Sequence, residues 1–385
     1  MHSLKNLILL IFIAFIASPA LAQPQKAEDG IAAIMKELDA AGVSVAVVKD
    51  NKIVYTHSFG YKDIESNAPL TDQNIFRIAS ISKSFSATAI MQLVTAGKLS
   101  LSDDFSNLIG FKVRNPKYPN TVITLKMVMS HTSSLNDSQG YFSLDGINPD
   151  KNPNAAKCYN DYEPGKGFQY CNLNYNLVGT VIERISGERF DQYIKHHILD
   201  PLGLYGGYCV DSLDKSRFAT LYEYDAKTRK LTADPGAYNP RSEEVKHYIM
   251  GYSTPIFSPT GGMKISATDL ARYMMMHMNY GKANGVRIIK KRLSKLMQTK
   301  VSDNEGGYGL ALRASHDLIP GEAMMGHTGV AYGLYSAMFF EPKKKFGFVV
   351  ICNGCNPAFM PGSEDIVLMM RKTINCLYDS FIKQD

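Results

Sequence analysis

Val43-Ser44-Val45-Ala46-Val47-Val48, then Asp50-Asn51-Lys52, then Ile53-Val54-Tyr55-Thr56-His57-Ser58, reads as two strand-forming runs joined by a turn-forming cluster. This spacing predicts an antiparallel hairpin near the N-terminal end. The C-terminal part repeats the pattern with runs at Tyr308 to Leu312, Tyr335 to Phe340 and Phe346 to Ile351, the last two joined by the turn Glu341-Pro342-Lys343-Lys344-Lys345. Between these ends the apolar period lengthens to that of helices. Ser80 to Ala96 is predicted helical and stops at Gly97, and Asn172 to Ser186 stops at Gly187. Ser266-Ala267-Thr268-Asp269 offers a cap ahead of Leu270, Ala271, Met274 and Met278, and a last helical pattern follows Pro361 through Ile366, Leu368, Met369, Ile374 and Leu377.

Strands at both ends with helices between them predict an α+β fold (an α/β sandwich): an antiparallel sheet built from both chain ends, flanked by helices, with an inserted mainly helical domain. The expected sheet subdomain covers residues 40–80 and 300–385, and the helical subdomain 98–260. No internal repeat or low-complexity linker divides the chain.

The composition is that of a folded protein: 385 residues, 45% hydrophobic and 20% charged, with a formal net charge of +6. Without a basic run or an arginine-rich helix, that charge argues against nucleic acid as a partner. Residues 1–22 combine Lys5, an apolar run from Leu7 to Ala17 and Pro19-Ala20-Leu21-Ala22, the grammar of a cleaved secretory signal peptide. The run is short of the roughly 20 residues of a spanning helix, so residues 23–385 are expected to be periplasmic or secreted, with no membrane span. Export admits disulfides among Cys158, Cys171, Cys209, Cys352, Cys355 and Cys376; Cys355 with Cys376 and Cys158 with Cys171 are the local pairs, with connectivity open. A lone C-x-x-C at Cys352–Cys355, without a second pair or a histidine pair at finger spacing, predicts no metal, and adjacent His196 and His197 read as a helix face.

Ser80-Ile81-Ser82-Lys83 opens the first long helix. At a spacing of three, a hydroxyl and an amine share one helical face, which is the arrangement of an activated serine nucleophile. The amine must be neutral to take the proton, so it needs burial or a neighbouring cation. Two further S-x-x-K matches, Ser212–Lys215 and Ser380–Lys383, fall in a polar stretch and in the C-terminal tail, so the motif is weak alone.

Tyr170-Cys171-Asn172 at the start of the second long helix and Gly326-His327-Thr328-Gly329 before the Tyr335 run complete an ordered set. S-x-x-K, then Y-x-N, then H-T-G resembles the penicillin-recognising serine hydrolases, which include class C β-lactamases, DD-carboxypeptidases and related esterases. Phe76-Arg77-Ile78-Ala79, Met129-Ser130-His131-Thr132-Ser133, Pro201-Leu202-Gly203-Leu204 and Gly261-Gly262 are similar to family landmarks as well, so the resemblance spans most of the chain. It implies Ser80 as acyl-accepting nucleophile and Lys83 as its activator. It further implies Tyr170 as a second base, with a phenol pKa well below the usual value of about 10, and Asn172 as orienter of Lys83 and substrate. His327, Thr328, Gly329 and Val330 are implied as substrate-binding, the amides of Ser80 and Val330 forming the oxyanion hole. No cofactor is implied. His131 is expected to be a buried structural histidine.

Class C β-lactamases carry lysine where this chain has His327, a residue expected to titrate near 6.5 and so to lose its grip on a carboxylate as pH rises. The expected function is an exported serine acyl hydrolase acting on a D-Ala-D-Ala-type peptidoglycan stem peptide or a β-lactam. The alternatives are an esterase or peptidase on another small acyl compound, and a penicillin-binding sensor that acylates without turnover. Residues 136–165 and 205–260 are expected to wall the cleft.

Overall fold

The computed structural model describes residues 19–301, 307–360 and 363–383. Most of the expected signal peptide therefore lies outside the described residues; its last four, 19–22, open a helix α1 at Pro19–Glu37. Among the described residues no helix is long and apolar enough to cross a membrane.

The N-terminal hairpin forms as expected from β1, Gly42–Lys49, and β2, Lys52–Asp63. Asp50 and Asn51 between them both take positive φ (51° and 61°), which gives the mirror-image turn whose twist matches the flanking strands. Ala68–Pro69 is β3, and the C-terminal end supplies β4 (Arg313–Ser315), β5 (Met324–Ala331), β6 (Leu334–Glu341) and β7 (Phe346–Cys352). All seven join one sheet in the order β4-β5-β6-β7-β1-β2-β3, closed at the middle by antiparallel pairing of β1 with β7, Val45 opposite Val350. The sheet is thus assembled from both ends of the chain.

Both faces of this sheet are covered, which explains runs such as Val43–Val48 in which nearly every residue is apolar. Val43, Val45 and Val47, with Phe348 and Val350, face α1 and the terminal helix α5, Leu368–Phe381. Ala46, Val48, Val349 and Ile351 face the opposite layer. There lie α2 (Ser82–Thr95), α3 (Asn172–Ser186) and α4 (Ala267–Met278). The stops are as expected: Gly187 is left-handed at φ 76°, and Ser266 Oγ accepts from Asp269 N at 3.1 Å to cap α4.

Three elements differ from expectation. Tyr308–Leu312 is a turn and not a strand: Gly309 N donates to Leu312 O at 2.7 Å, Ala311 is left-handed, and the strand begins only at Arg313. The H-T-G segment lies inside β5, paired with β6 (Thr328 opposite Ala337), and does not merely precede it. Ile366 belongs to a short strand, Ser363–Val367, so the last helix starts two residues later than the apolar period suggests.

Candidate active site

Ser80 sits in a 3₁₀ turn, Ala79–Ile81, that leads directly into α2. Ala79 holds a left-handed φ of 48°, a costly conformation for a residue with a Cβ, so the turn is fixed by what surrounds it. Two contacts do so. Ile78 N donates to Met263 O at 2.9 Å, and Ser336 Oγ on β6 donates to Ile78 O at 3.0 Å. Strand β5 passes close by because Gly329 has no side chain: a Cβ there would collide with Ile78 O and with Ser336 Oγ. The missing side chain lets β5 pack closely against the turn that carries Ser80.

Lys83 lies one helical turn beyond Ser80 and is fully buried. Its Nζ is 3.0 Å from Ser80 Oγ, 2.9 Å from Asn172 Oδ1 and 3.0 Å from Thr260 O. Burial pulls its pKa down to about 7, against a smaller opposing pull from Asp137. A neutral amine has two hydrogens and one lone pair. The two carbonyl oxygens can only accept, so they take both hydrogens and leave the lone pair for the Ser80 hydroxyl.

Tyr170 packs its ring 4.8 Å from Lys83 Nζ and 4.4 Å from the His131 ring. Its pKa is raised and not lowered: burial is the largest influence, the Ser80 hydroxyl offsets part of it, and the phenolic oxygen has no well-formed hydrogen bond among the described residues. The expected low-pKa phenol is absent because burial outweighs the lowering pulls of the Ser80 hydroxyl and the Arg313 charge. His131 is buried, as expected, and its Nδ1 accepts from Cys171 N at 3.1 Å, so the H-T-S segment braces the backbone that carries Tyr170.

His327 is also buried, and its pKa falls to about 3 through burial first and Lys83 next. Its Nδ1 donates to Thr328 O at 2.5 Å, which leaves Nε2 to accept from Tyr308 Oη at 3.2 Å. This overturns the expectation of a histidine titrating near 6.5: the ring has lost its water, and among the described residues no carboxylate offsets that burial.

These groups open onto one cleft of about 640 Å³, lined by Ser80, Tyr170, Asn172, His327, Thr328 and Val330 among others. Aromatic side chains form part of its walls, with Tyr141 and Phe142 from the expected 136–165 stretch joined by Phe168, Tyr308 and Tyr332, and Ser258 and Thr260 come from the expected 205–260 stretch. Among the described residues no aspartate or glutamate lines it, whereas Arg77 and Arg313 do. Arg77 is buried and committed to Gly261 O at 3.0 Å. Sequence reading missed Arg313, Tyr308, Thr260 and Asp137. Asp137 and Thr260 nonetheless fall inside the 136–165 and 205–260 stretches expected at the cleft, and Thr260 also stands beside the Gly261-Gly262 landmark.

All six cysteines carry free thiols, so neither local pair is bridged; Cys171 Sγ instead donates to Asp137 Oδ1 at 3.2 Å. His196 and His197 both bond Glu188, and no cluster suited to a metal occurs among the described residues. Ser380 of the third S-x-x-K bonds Cys376 O within α5 at 2.8 Å, far from this constellation in the fold.

The Beta-lactamase family model matches residues 28–367. Among curated proteins, Protein flp of Staphylococcus aureus (strain MW2) is 24% identical over 333 residues, covering 83% of this chain and 61% of its own length. The chain thus spans about three fifths of the curated relatives it matches first. Penicillin-binding protein 4 of Amycolatopsis lactamdurans is 26% identical over 338 residues, 84% of this chain and 83% of that one. Among solved structures, the octameric penicillin-binding protein homologue from Pyrococcus abyssi superposes with a TM-score of 0.72 at 27% identity, covering 92% of this chain and 76% of that one.

Proposed function

The chain belongs to the Beta-lactamase family, and from that premise we propose that it is an exported serine acyl hydrolase working through an acyl-enzyme on Ser80. The observation that carries this reading is the triple coordination of buried Lys83 by Ser80 Oγ, Asn172 Oδ1 and Thr260 O. Neutral Lys83 takes the proton of Ser80 as Oγ attacks the acyl carbon. The oxyanion so formed lies between the amides of Ser80 and Val330, a contribution of about 3–4 kcal/mol per donor in sites of this logic. Lys83 is then an ammonium beside the Tyr170 ring. That new charge stabilises a transient phenolate, so Tyr170 can give its proton to the leaving group and recover one from Lys83. Water entering on the vacated side reverses the relay and releases the acid.

The substrate class we favour is a D-Ala-D-Ala-type peptide or a β-lactam. Arg313 is the cation we assign to its carboxylate, in place of His327, which is neutral. The aromatic side chains on the walls favour an apolar acyl group. Those walls equally support the second reading, an esterase or peptidase acting on a neutral acyl compound. The membership of residues 1–22 in a cleaved leader, the subdomain limits 40–80 with 300–385 and 98–260, and the roles of Ser80, Lys83, Tyr170, Asn172, Thr328, Gly329 and Val330, with His327 as a neutral wall of the cleft, are part of the same proposal.

Labelling with a fluorescent penicillin tests it. Ser80-dependent labelling, lost in Ser80→Ala, is expected; labelling that persists in the mutant removes Ser80 as nucleophile. A panel of nitrocefin, a D-Ala-D-Ala peptide and p-nitrophenyl butyrate then separates the substrates, and stable labelling without turnover of any of them identifies a sensor.

A further inference from the structure

Helix α3 begins at Asn172, yet no side chain of its own N-terminus caps it. The cap comes from 35 residues earlier. The Asp137 carboxylate accepts from Asn172 N at 2.9 Å through Oδ2 and from Leu173 N at 2.9 Å through Oδ1. It also accepts from the Cys171 thiol at 3.2 Å and from the side-chain amide, Asn172 Nδ2, at 3.1 Å. The last bond has a consequence for the nucleophile. An amide group has one oxygen face and one nitrogen face. With Nδ2 turned to Asp137, Oδ1 must face Lys83 Nζ at 2.9 Å and Thr260 Oγ1 at 3.1 Å. The flipped amide would set hydrogens against an amine and a hydroxyl that already donate there.

We propose that Asp137 is a positioning residue of the acyl-transfer site: it fixes the rotamer and the face of Asn172, and through it holds Lys83 with its lone pair on Ser80. The inference rests on the reading under Proposed function, since it presumes that Ser80 acylates. Asp137 reaches no lining position of the cleft, so it acts through Asn172 and does not touch substrate. The loop that carries it is itself pinned, with Asn136 N donating to Cys158 O at 2.8 Å and Gln169 N to His131 O at 3.0 Å. His131 and Ser134 in that loop both have positive φ, 59° and 64°. The carboxylate is thus held by its own backbone as well as by its partners.

Asp137 also sets the charge seen by Lys83. The titratable groups bearing on Lys83 are Asp137 and His131 from the loop, Tyr170, Cys171 and Tyr175 at α3, and His327 from β5. The two histidines are neutral, and burial keeps the phenols and the thiol protonated. Among the described residues Asp137 is the one anion in that group, and its pull on Lys83 is upward.

The test is the rate of Ser80 acylation by a fluorescent penicillin against pH, in wild type, Asp137→Asn, Asp137→Glu and Ser266→Ala. Asp137→Asn is expected to slow acylation about 10²-fold with little change in the probe concentration at half-maximal rate. Its acidic limb, which reports Lys83, should move down by about 1 pH unit as the anion is lost. Asp137→Glu, which keeps the charge, should return the limb to its wild-type position and serves if the Asn variant does not fold. Ser266→Ala removes a cap remote from Lys83, and should lower the melting temperature without moving the limb. Equal rates and limbs in wild type and Asp137→Asn overturn the positioning role while leaving Ser80 acylation standing. A rate loss with an unmoved limb reduces Asp137 to a helix cap and overturns it as well. A wild type that no penicillin labels at Ser80 defeats the functional reading itself, and this inference with it.

Discussion

Lys83 Nζ and Ser80 Oγ lie 3.0 Å apart, with the amine shut away from water and the hydroxyl at the floor of an open cleft. The amine is thus shielded by burial, while the hydroxyl stays open to the cleft.

The pH dependence follows from that asymmetry. With the Lys83 pKa lowered to about 7, the reactive neutral amine gains population as pH rises through 7, so acylation should climb there and level off above it. The phenol of Tyr170, raised by burial, contributes no second limb at moderate alkalinity. A pH–rate profile of nitrocefin turnover or penicillin labelling reads both; a rate that falls across pH 6–8 contradicts the assignment of Lys83 as base.

Lys83 should also mark stability. Its folded pKa lies below the unfolded value of about 10.4, so between about 7 and 10.4 the unfolded chain binds more protons and stability rises with pH. The penalty is complete below 7 and absent above 10.4. Lys83→Met, inactive but without this term, should therefore gain stability relative to wild type as pH falls from 10 to 7. Thermal melts at the two values check the sign; a gap that is constant or reversed refutes the burial account.

Carboxylate recognition should depend on Arg313 and not on the titration of His327. Arg313→Ala is expected to raise KM for carboxylate-bearing substrates about tenfold or more, with neutral esters changed far less, because a charged partner to a charged group is worth about 1.5–3 kcal/mol. Since the His327 pKa is lowered to about 3, both substrate classes should share the single Lys83 limb near 7, and the carboxylate-bearing ones should show no further loss of binding through the ordinary histidine range. Steady-state kinetics on a D-Ala-D-Ala peptide and p-nitrophenyl butyrate measure both effects.

Gly329→Ala should cost catalysis more than folding. A Cβ there meets Ile78 O, so β5 must move off the Ser80 turn and widen the gap between the Ser80 and Val330 amides. A loss of about 10²–10³ in kcat is expected, the scale of one oxyanion donor. Circular dichroism on the same sample should show the strand content unchanged, and kcat within threefold of wild type would remove Gly329 from the site's geometry.

Much of this was legible in the chain. The hairpin at Val43–Ser58, the C-terminal runs and the helix ending at Gly187 follow from local rules of period and turn chemistry, which need only neighbours in sequence. The ordered motifs likewise named the four groups that the fold gathers at Ser80. Local rules misread Tyr308–Leu312 because its residues suit a strand, while the left-handed Ala311 and the pairing of Arg313 are imposed by packing.

The order of residue types thus determined the two-ended sheet and which hydroxyl, amine, phenol and imidazole would meet. Only the tertiary structure decided their protonation, because a pKa depends on how much water a group loses and which charges face it. Those neighbours come from distant parts of the chain: Asp137 and Thr260 for Lys83, and Tyr308 for His327. That surrounding reversed the low phenol pKa that the family resemblance implied for Tyr170, and it moved His327 away from the titration near 6.5 that its residue type suggested.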